Sequence, residues 1–184
     1  MRRGEALALR WRDVDLEARA IRVRRSAGMV RVAGEGASIV ETDTKSGKPR
    51  VVDIDPATVV VLKAHRKARG SLALQLVRED SIVFGDAEGR HRNPEHTSRQ
   101  FAGDLTRCRR VLGAEALTVI RLHDLRHTHA TVLLTAREPV HVVSQRLGHA
   151  SPVVTMTVYA HVLPGSQRDA AELFARLIRG ASEA

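Results

Sequence analysis

Seven residues stand out by type and spacing. His123 and Arg126 are i, i+3 and share one face of a helix. His149 closes the triplet Leu147-Gly148-His149 ahead of a Ser151-Pro152 turn, and Tyr159, the only tyrosine of the chain, lies ten residues further on. Arg2 stands in an Arg-x-x-Glu arrangement with Glu5, and Lys45 falls in a loop between two strand-like runs. Arginine offers a planar fork of donors that matches phosphate oxygens. Of the 30 cationic residues, Lys45, Lys48, Lys63 and Lys67 are the lysines and all others are arginine. A GC-rich gene alone would give that ratio, but not the formal net charge of +9. Residues 1–50 carry +5 of it and residues 101–150 carry +3, two stretches that a fold can join into one patch facing a polyanion.

Other chemistries find less support. The chain has no phosphate-binding GxxxxGK[ST], no GxGxxG after a strand, no HExxH and no GxSxG. His123 and His127 are i, i+4 and suit a metal, yet a third ligand close by is missing and Asp124 points off that face. A metal or cofactor is therefore not expected.

The elements that must position these residues read as follows. Residues 2–11 look like the tail of a helix, with Leu7, Leu9 and Trp11. Ala20–Arg24, Ser38–Thr42 and Arg50–Ile54 alternate as three strands, the last two joined by a Lys45-Ser46-Gly47-Lys48 hairpin loop. Pro56 opens a helix running towards Leu76, and a second helix spans about 94–112 with Phe101, Leu105 and Leu112 as its apolar stripe. From His123 on, helices are expected at about 123–136, 140–147, 151–162 and 167–179, punctuated by Pro139, Gly148, Pro152 and Pro164. The fold class is α+β: a mostly helical body with a small antiparallel, three-stranded sheet near the N-terminus. Leu7, Leu9, Leu125, Leu133 and Leu147 are assigned to the core by spacing. His65, His91, His96 and His141 are assigned to the surface, and His127, His129 and His161 to the support of the site or core.

Length and composition fit this picture. A chain of 184 residues with 43% hydrophobic content can bury one core without staples. The single cysteine, Cys108, excludes an internal disulfide framework and a multi-cysteine zinc site. No apolar run is long enough for a membrane span and no signal core opens the chain, so a cytoplasmic protein is expected. Five aromatics, namely Trp11, Phe84, Phe101, Tyr159 and Phe174, are too few for a single-strand stacking platform. Duplex nucleic acid gripped through its phosphates is the better expectation.

Five segments, in order, resemble the motifs of the tyrosine recombinases, or phage-type integrases. They are Arg2–Trp11 (RRGEALALRW), Thr44–Gly47 (TKSG), His123–Thr128 (HDLRHT), Leu147–His149 (LGH) and Thr157–His161 (TVYAH). The resemblance implies a catalytic domain over residues 1–184. It makes Arg2 and Arg126 the two catalytic arginines, Glu5 the acid supporting Arg2, and Lys45 the hairpin lysine, with Lys48 in the same loop. His123 becomes the His-x-x-Arg histidine, His149 the second histidine and Tyr159 the nucleophile. Arg3, Arg10, Arg12, Arg24 and Arg25 are left as solvated charges or DNA-backbone contacts.

The implied reaction is transesterification at a DNA phosphodiester. Tyr159 attacks phosphorus, a 3′-phosphotyrosyl link forms and a 5′-hydroxyl leaves, so no nucleotide cofactor is consumed. At neutral pH only about one phenol in a thousand is ionised, and supplying the phenolate costs roughly 4 kcal/mol. His123 is the candidate base, Arg2, Arg126 and His149 the oxyanion donors and Lys45 the general acid. The implied partners are duplex attachment sites and a homo-tetramer on DNA, in a prokaryotic, nucleoid-associated setting. A relaxing topoisomerase of type IB and a catalytically impaired DNA-binding remnant are the alternatives. In such a family the chain would be truncated at its N-terminus, lacking the upstream DNA-binding domain. Arg2 would then lie on a frayed end, with apolar surface exposed nearby. Ala171, Phe174, Leu177 and Ile178 form a helical stripe that suits either a neighbouring protomer or the chain's own core.

Overall fold

The computed structural model describes residues 1–32, 36–44, 47–162 and 167–180. The first half is a β-rich layer. A short helix α1 (Arg3–Leu7) leads through a 3₁₀ turn into β1 (Val14–Asp15), β2 (Ala20–Val23), β3 (Arg25–Val32), β4 (Gly36–Asp43) and β5 (Arg50–Asp53). The strands form a three-stranded antiparallel sheet, β1-β2-β5, and a separate two-stranded ribbon, β3-β4. The second half is helical: α2 (Pro56–Leu72), α3 (Pro94–Leu112), α4 (Asp124–Thr135), α5 (Val140–Leu147), α6 (Pro152–Tyr159) and α7 (Gln167–Gly180).

Helix boundaries follow the punctuation. Asp55 accepts the Thr58 N–H at 3.0 Å ahead of Pro56. Asn93 accepts the N–H groups of Glu95 and His96 ahead of Pro94; each cap satisfies donors that a helix start leaves open. Helix α5 ends at Gly148, whose φ of 68° is left-handed. The N–H groups of Gly148 and His149 turn back to the Ser144 carbonyl at 2.9 and 3.1 Å.

The sheet differs from expectation. The three expected strands are among the five described, but Ser38–Thr42 belongs to β4 and pairs with β3, not with residues 50–54. Strand β5 pairs instead with β2, setting Ile21 opposite Val52. The partner that captures β4 was illegible because Ser26, Ala27 and Gly28 interrupt the apolar alternation of β3. Strands β4 and β5 thus belong to different sheets and are not paired with each other. The helix expected over residues 2–11 stops at Leu7.

Two cores hold the halves. Leu9, Trp11, Val14, Ile21, Val23, Val52, Leu62 and Val83 fill the space between the sheet and α2. Ala130, Leu134, Val143, Leu147 and Tyr159 fill that between α4, α5 and α6. Helix α1 lies directly on β3, where a Cβ on Gly4 would fall 2.6 Å from the Ala27 carbonyl oxygen. Leu125 is not a core residue: it is 45% exposed, while Leu134 is the buried leucine of α4. Leu112, at the last turn of α3, is exposed too. Met1, Leu7, Phe84, Leu122 and Leu125 line a cleft of about 380 Å³ beside α1 together with Arg2, Arg3 and Arg92.

His65 and His91 are not surface groups. His65 is half-buried between Trp11 and Phe84, its Nε2 2.8 Å from the Val83 carbonyl. His91 Nδ1 lies 3.0 Å from the Leu7 carbonyl. Conversely His161 is exposed. Arg10 and Arg25 serve the fold, bridging to Glu41 at 3.1 and 3.3 Å, and Arg25 also pairs with the buried Asp13. No helix among the described residues is long and apolar enough to cross a membrane.

Candidate active site

The site lies on the seam between the two halves, and arginines stitch that seam. Arg2 sits at the start of α1, where its own N–H donates to Glu5 Oε2 at 2.6 Å and its Nη1 to Oε1 at 3.0 Å. Its Nη2 crosses to the Gly148 carbonyl at 3.0 Å. The terminus is therefore anchored and not frayed, because Glu5, one turn on, holds both ends of the residue. Glu5 itself is fully buried. Burial pushes its carboxyl up, but hydrogen bonds from Arg50 and Arg2 outweigh this and hold it down at about 2.

Arg50 was missed at the level of sequence. Its Nη1 and Nη2 reach Glu5 at 3.1 and 2.7 Å, and its Nε donates to the Arg146 carbonyl at 3.3 Å. One carboxylate thus serves two arginines from different elements. A signal existed: Arg50 is two residues from the buried Val52, on the inward face of β5. Arg146 completes the stitching, donating to the Asp53 carbonyl at 2.8 Å and to His129 Nε2 at 3.0 Å.

Arg2, His123, Arg126, His127, His149 and Tyr159 line one cleft of about 400 Å³. Arg126, on the first turn of α4, is buried and donates from Nη2 to the Leu147 carbonyl at 2.6 Å. Its Nη1 is also buried and meets no acceptor among the described residues. Burial, together with the nearby Arg2 and Arg50 charges, lowers its pKa to about 10, so it stays charged at neutral pH. A buried, charged donor without a partner is costly; an anion entering the cleft would satisfy it.

His149 follows Gly148 and turns its Nδ1 to the buried Thr155 Oγ1 at 2.8 Å. Burial, then the Arg126 and Arg2 charges, lowers its pKa to about 4. It is neutral at pH 7 and lines the cleft. Tyr159, the last residue of α6, is 3% exposed. Burial raises its pKa and the Arg126 charge opposes that rise. Its hydroxyl lies 2.9 Å from His127 Nδ1. His123 immediately precedes α4, more exposed than His127, with its ring edge-on to that of His127 at 5.0 Å. Burial, His127 and Arg126 lower its pKa.

Six of the seven residues singled out by sequence are described, and Glu5 supports Arg2 while the other five share the cleft. Lys45 lies outside the described residues. Among the described residues no three His, Cys, Asp or Glu side chains gather for a metal ion. The i, i+4 pair His123 and His127 makes a ring contact, and His127 turns to the phenol.

The sequence model of the phage integrase family matches residues 1–165. The chain is 28% identical over 179 residues to a XerC-like tyrosine recombinase of Caldanaerobacter subterraneus subsp. tengcongensis, covering 94% of this chain and 45% of that protein. It is 30% identical over 177 residues to the ICEBs1 integrase of Bacillus subtilis, covering 94% of this chain and 44% of that protein. The chain thus spans less than half the length of these two relatives. Among solved structures, the Tn1549 transposon integrase in complex with transposon right end DNA superposes with a TM-score of 0.70 at 21% identity, over 98% of this chain and 55% of that one. The XerA recombinase does so with a TM-score of 0.60 at 23% identity, over 95% of this chain and 52% of that one. At those identities the likeness is one of fold.

Proposed function

The chain belongs to the phage integrase family, and from that premise we propose that residues 1–184 act as the catalytic domain of a site-specific DNA recombinase. The domain cuts and rejoins duplex DNA through a 3′-phosphotyrosyl link to Tyr159, in the integration or excision of a mobile element. It works in the prokaryotic cytoplasm, on nucleoid DNA, as a homo-tetramer assembled at attachment sites. The observation that supports this most is the gathering of Arg2, Arg126 and His149 around Tyr159 in one cleft, with Arg126 Nη1 meeting no acceptor among the described residues.

The family resemblance suggests a role for each residue. Arg2 and Arg126 bind the non-bridging oxygens of the scissile phosphate through charge-assisted hydrogen bonds. Neutral His149, oriented by Thr155, donates a further hydrogen bond to the same oxygens. Glu5 and Arg50 hold Arg2 at the seam without touching DNA. His123, at the edge of the cleft, belongs to the basic machinery that removes the phenol proton. Lys45 protonates the leaving 5′-oxygen. The phosphodiester bond energy is kept in the tyrosyl link, and the reverse attack by a 5′-hydroxyl completes exchange.

The test is a nicked suicide duplex carrying the junctions that flank the gene. A covalent protein–DNA band that disappears in Tyr159→Phe, with binding retained, is the expected result. Salt-sensitive DNA binding without any adduct would mark a DNA-binding remnant and contradict the proposal.

A further inference from the structure

Resting on that reading, we infer that His127 is a further catalytic residue, the group that takes the phenol proton of Tyr159 as the nucleophile attacks. The tyrosine hydroxyl is 2.9 Å from His127 Nδ1, within reach for direct general-base transfer. The two residues sit 32 positions apart on α4 and α6, and tertiary packing sets the approach: Tyr159 belongs to the core shared with Ala130, Leu134 and Leu147. His123 makes no such contact among the described residues; its ring meets His127 edge-on at 5.0 Å, one step further from the phenol. The ring of His127 is half-buried and opens on the same cleft as the two arginines.

The step balances. The Tyr159 oxygen bonds to phosphorus while its proton passes to Nδ1, and the imidazole becomes imidazolium. The 5′-oxygen departs with a proton from the general acid. In the second half-reaction a 5′-hydroxyl attacks phosphorus, gives its proton to that same acid, and Tyr159 leaves and recovers its proton from His127. The charged and titratable groups around His127 are His123, Asp124 and Arg126 from its own helix, Arg2 from α1, His149 from the turn after α5, and Tyr159 from α6. The charge gained at His127 is matched by the proton that the general acid gives to the 5′-oxygen, so the net charge of the site is unchanged beside the arginines.

Tyr159 is the sole phenol of the chain, so its reactivity can be read without DNA. N-acetylimidazole acetylates phenols, and peptide mapping by mass spectrometry follows Tyr159 alone from pH 5 to 10. In the wild-type protein the rate should rise with pH and then level off, as base assistance saturates. His127→Asn keeps a hydrogen-bond acceptor but cannot take a proton. It should lower the rate at pH 7 by at least about ten-fold and remove the plateau, while His96→Asn, at an exposed histidine outside the cleft, should keep both. Retention of rate and plateau in His127→Asn, or their loss only in His123→Asn, would overturn the inference. A second reading needs no variant: the levelling pH in the wild type should equal the midpoint of the His127 imidazole resonances, and agreement with those of His123 instead would contradict it. Because no DNA is present, absence of a DNA adduct counts against the recombinase reading alone.

Discussion

Arg50 and Glu5 meet beside the seam as a two-point pair, Nη1 to Oε1 at 3.1 Å and Nη2 to Oε2 at 2.7 Å. The same carboxylate holds Arg2, so β5 and the helical half position a cleft arginine through a residue that never touches the cleft. Glu5→Gln should destabilise the fold by about 3 kcal/mol, since it leaves two arginines without their counter-charge. Urea denaturation measures this, and strand cleavage should fall with it.

Acid should dismantle the same pair. The Glu5 pKa is lowered from 4.5 to about 2 in the folded protein. Its contribution to stability is therefore fully present above about pH 4.5 and is lost as pH falls towards 2. The acid limb of the stability curve should flatten over that window in Glu5→Gln, as followed by circular dichroism at graded pH.

Gly148→Ala should be severe. The residue sits at φ 68°, and a Cβ there would fall 2.6 Å from the Arg50 guanidinium carbon. The left-handed backbone alone costs about 1–3 kcal/mol for a side-chain-bearing residue. Displaced Arg50 would also release Glu5, and Arg2 would lose the carbonyl it binds. A larger loss in DNA cleavage than in melting temperature is expected.

His149 should be neutral throughout the working range. With its pKa lowered from 6.5 to about 4, it adds stability that is complete above about pH 6.5 and lost as pH falls through 4. Its imidazole resonances should titrate near 4 by NMR. Thr155→Val, nearly isosteric, removes the partner of Nδ1 and should cost about 1 kcal/mol while slowing cleavage more than it weakens DNA binding.

Helix α7 carries Leu173, Phe174, Leu177 and Ile178, each between 50 and 68% exposed. Paired Phe174→Ala and Leu177→Ala substitutions should leave the melting temperature nearly unchanged, because they remove little buried area. If α7 docks on a neighbouring protomer, they should reduce tetramer formation on DNA, as measured by analytical ultracentrifugation of the complex.

Much of the helical half was legible because proline and glycine mark its ends: Pro56, Pro139 and Gly148 stand at observed boundaries. The strand pairing was not, since it depends on which distant segment completes each ladder, and Ser26, Ala27 and Gly28 hide β3. The cleft residues were legible as motifs. Arg50 and His127 were not assigned their parts, because Glu5 is 45 positions from the one and Tyr159 is 32 from the other. Leu125 misled for a related reason: helical spacing places it on a face, but only tertiary packing decides which face is covered.

The central claim is that Tyr159 bonds covalently to DNA. Mass spectrometry of the adduct from a suicide duplex, after protease and nuclease digestion, tests it most directly. The expected product is the peptide containing Tyr159 with a 3′-linked nucleotide phosphate on the phenol, absent in Tyr159→Phe. A nucleotide found on any other residue, or an adduct that persists in Tyr159→Phe, would contradict it.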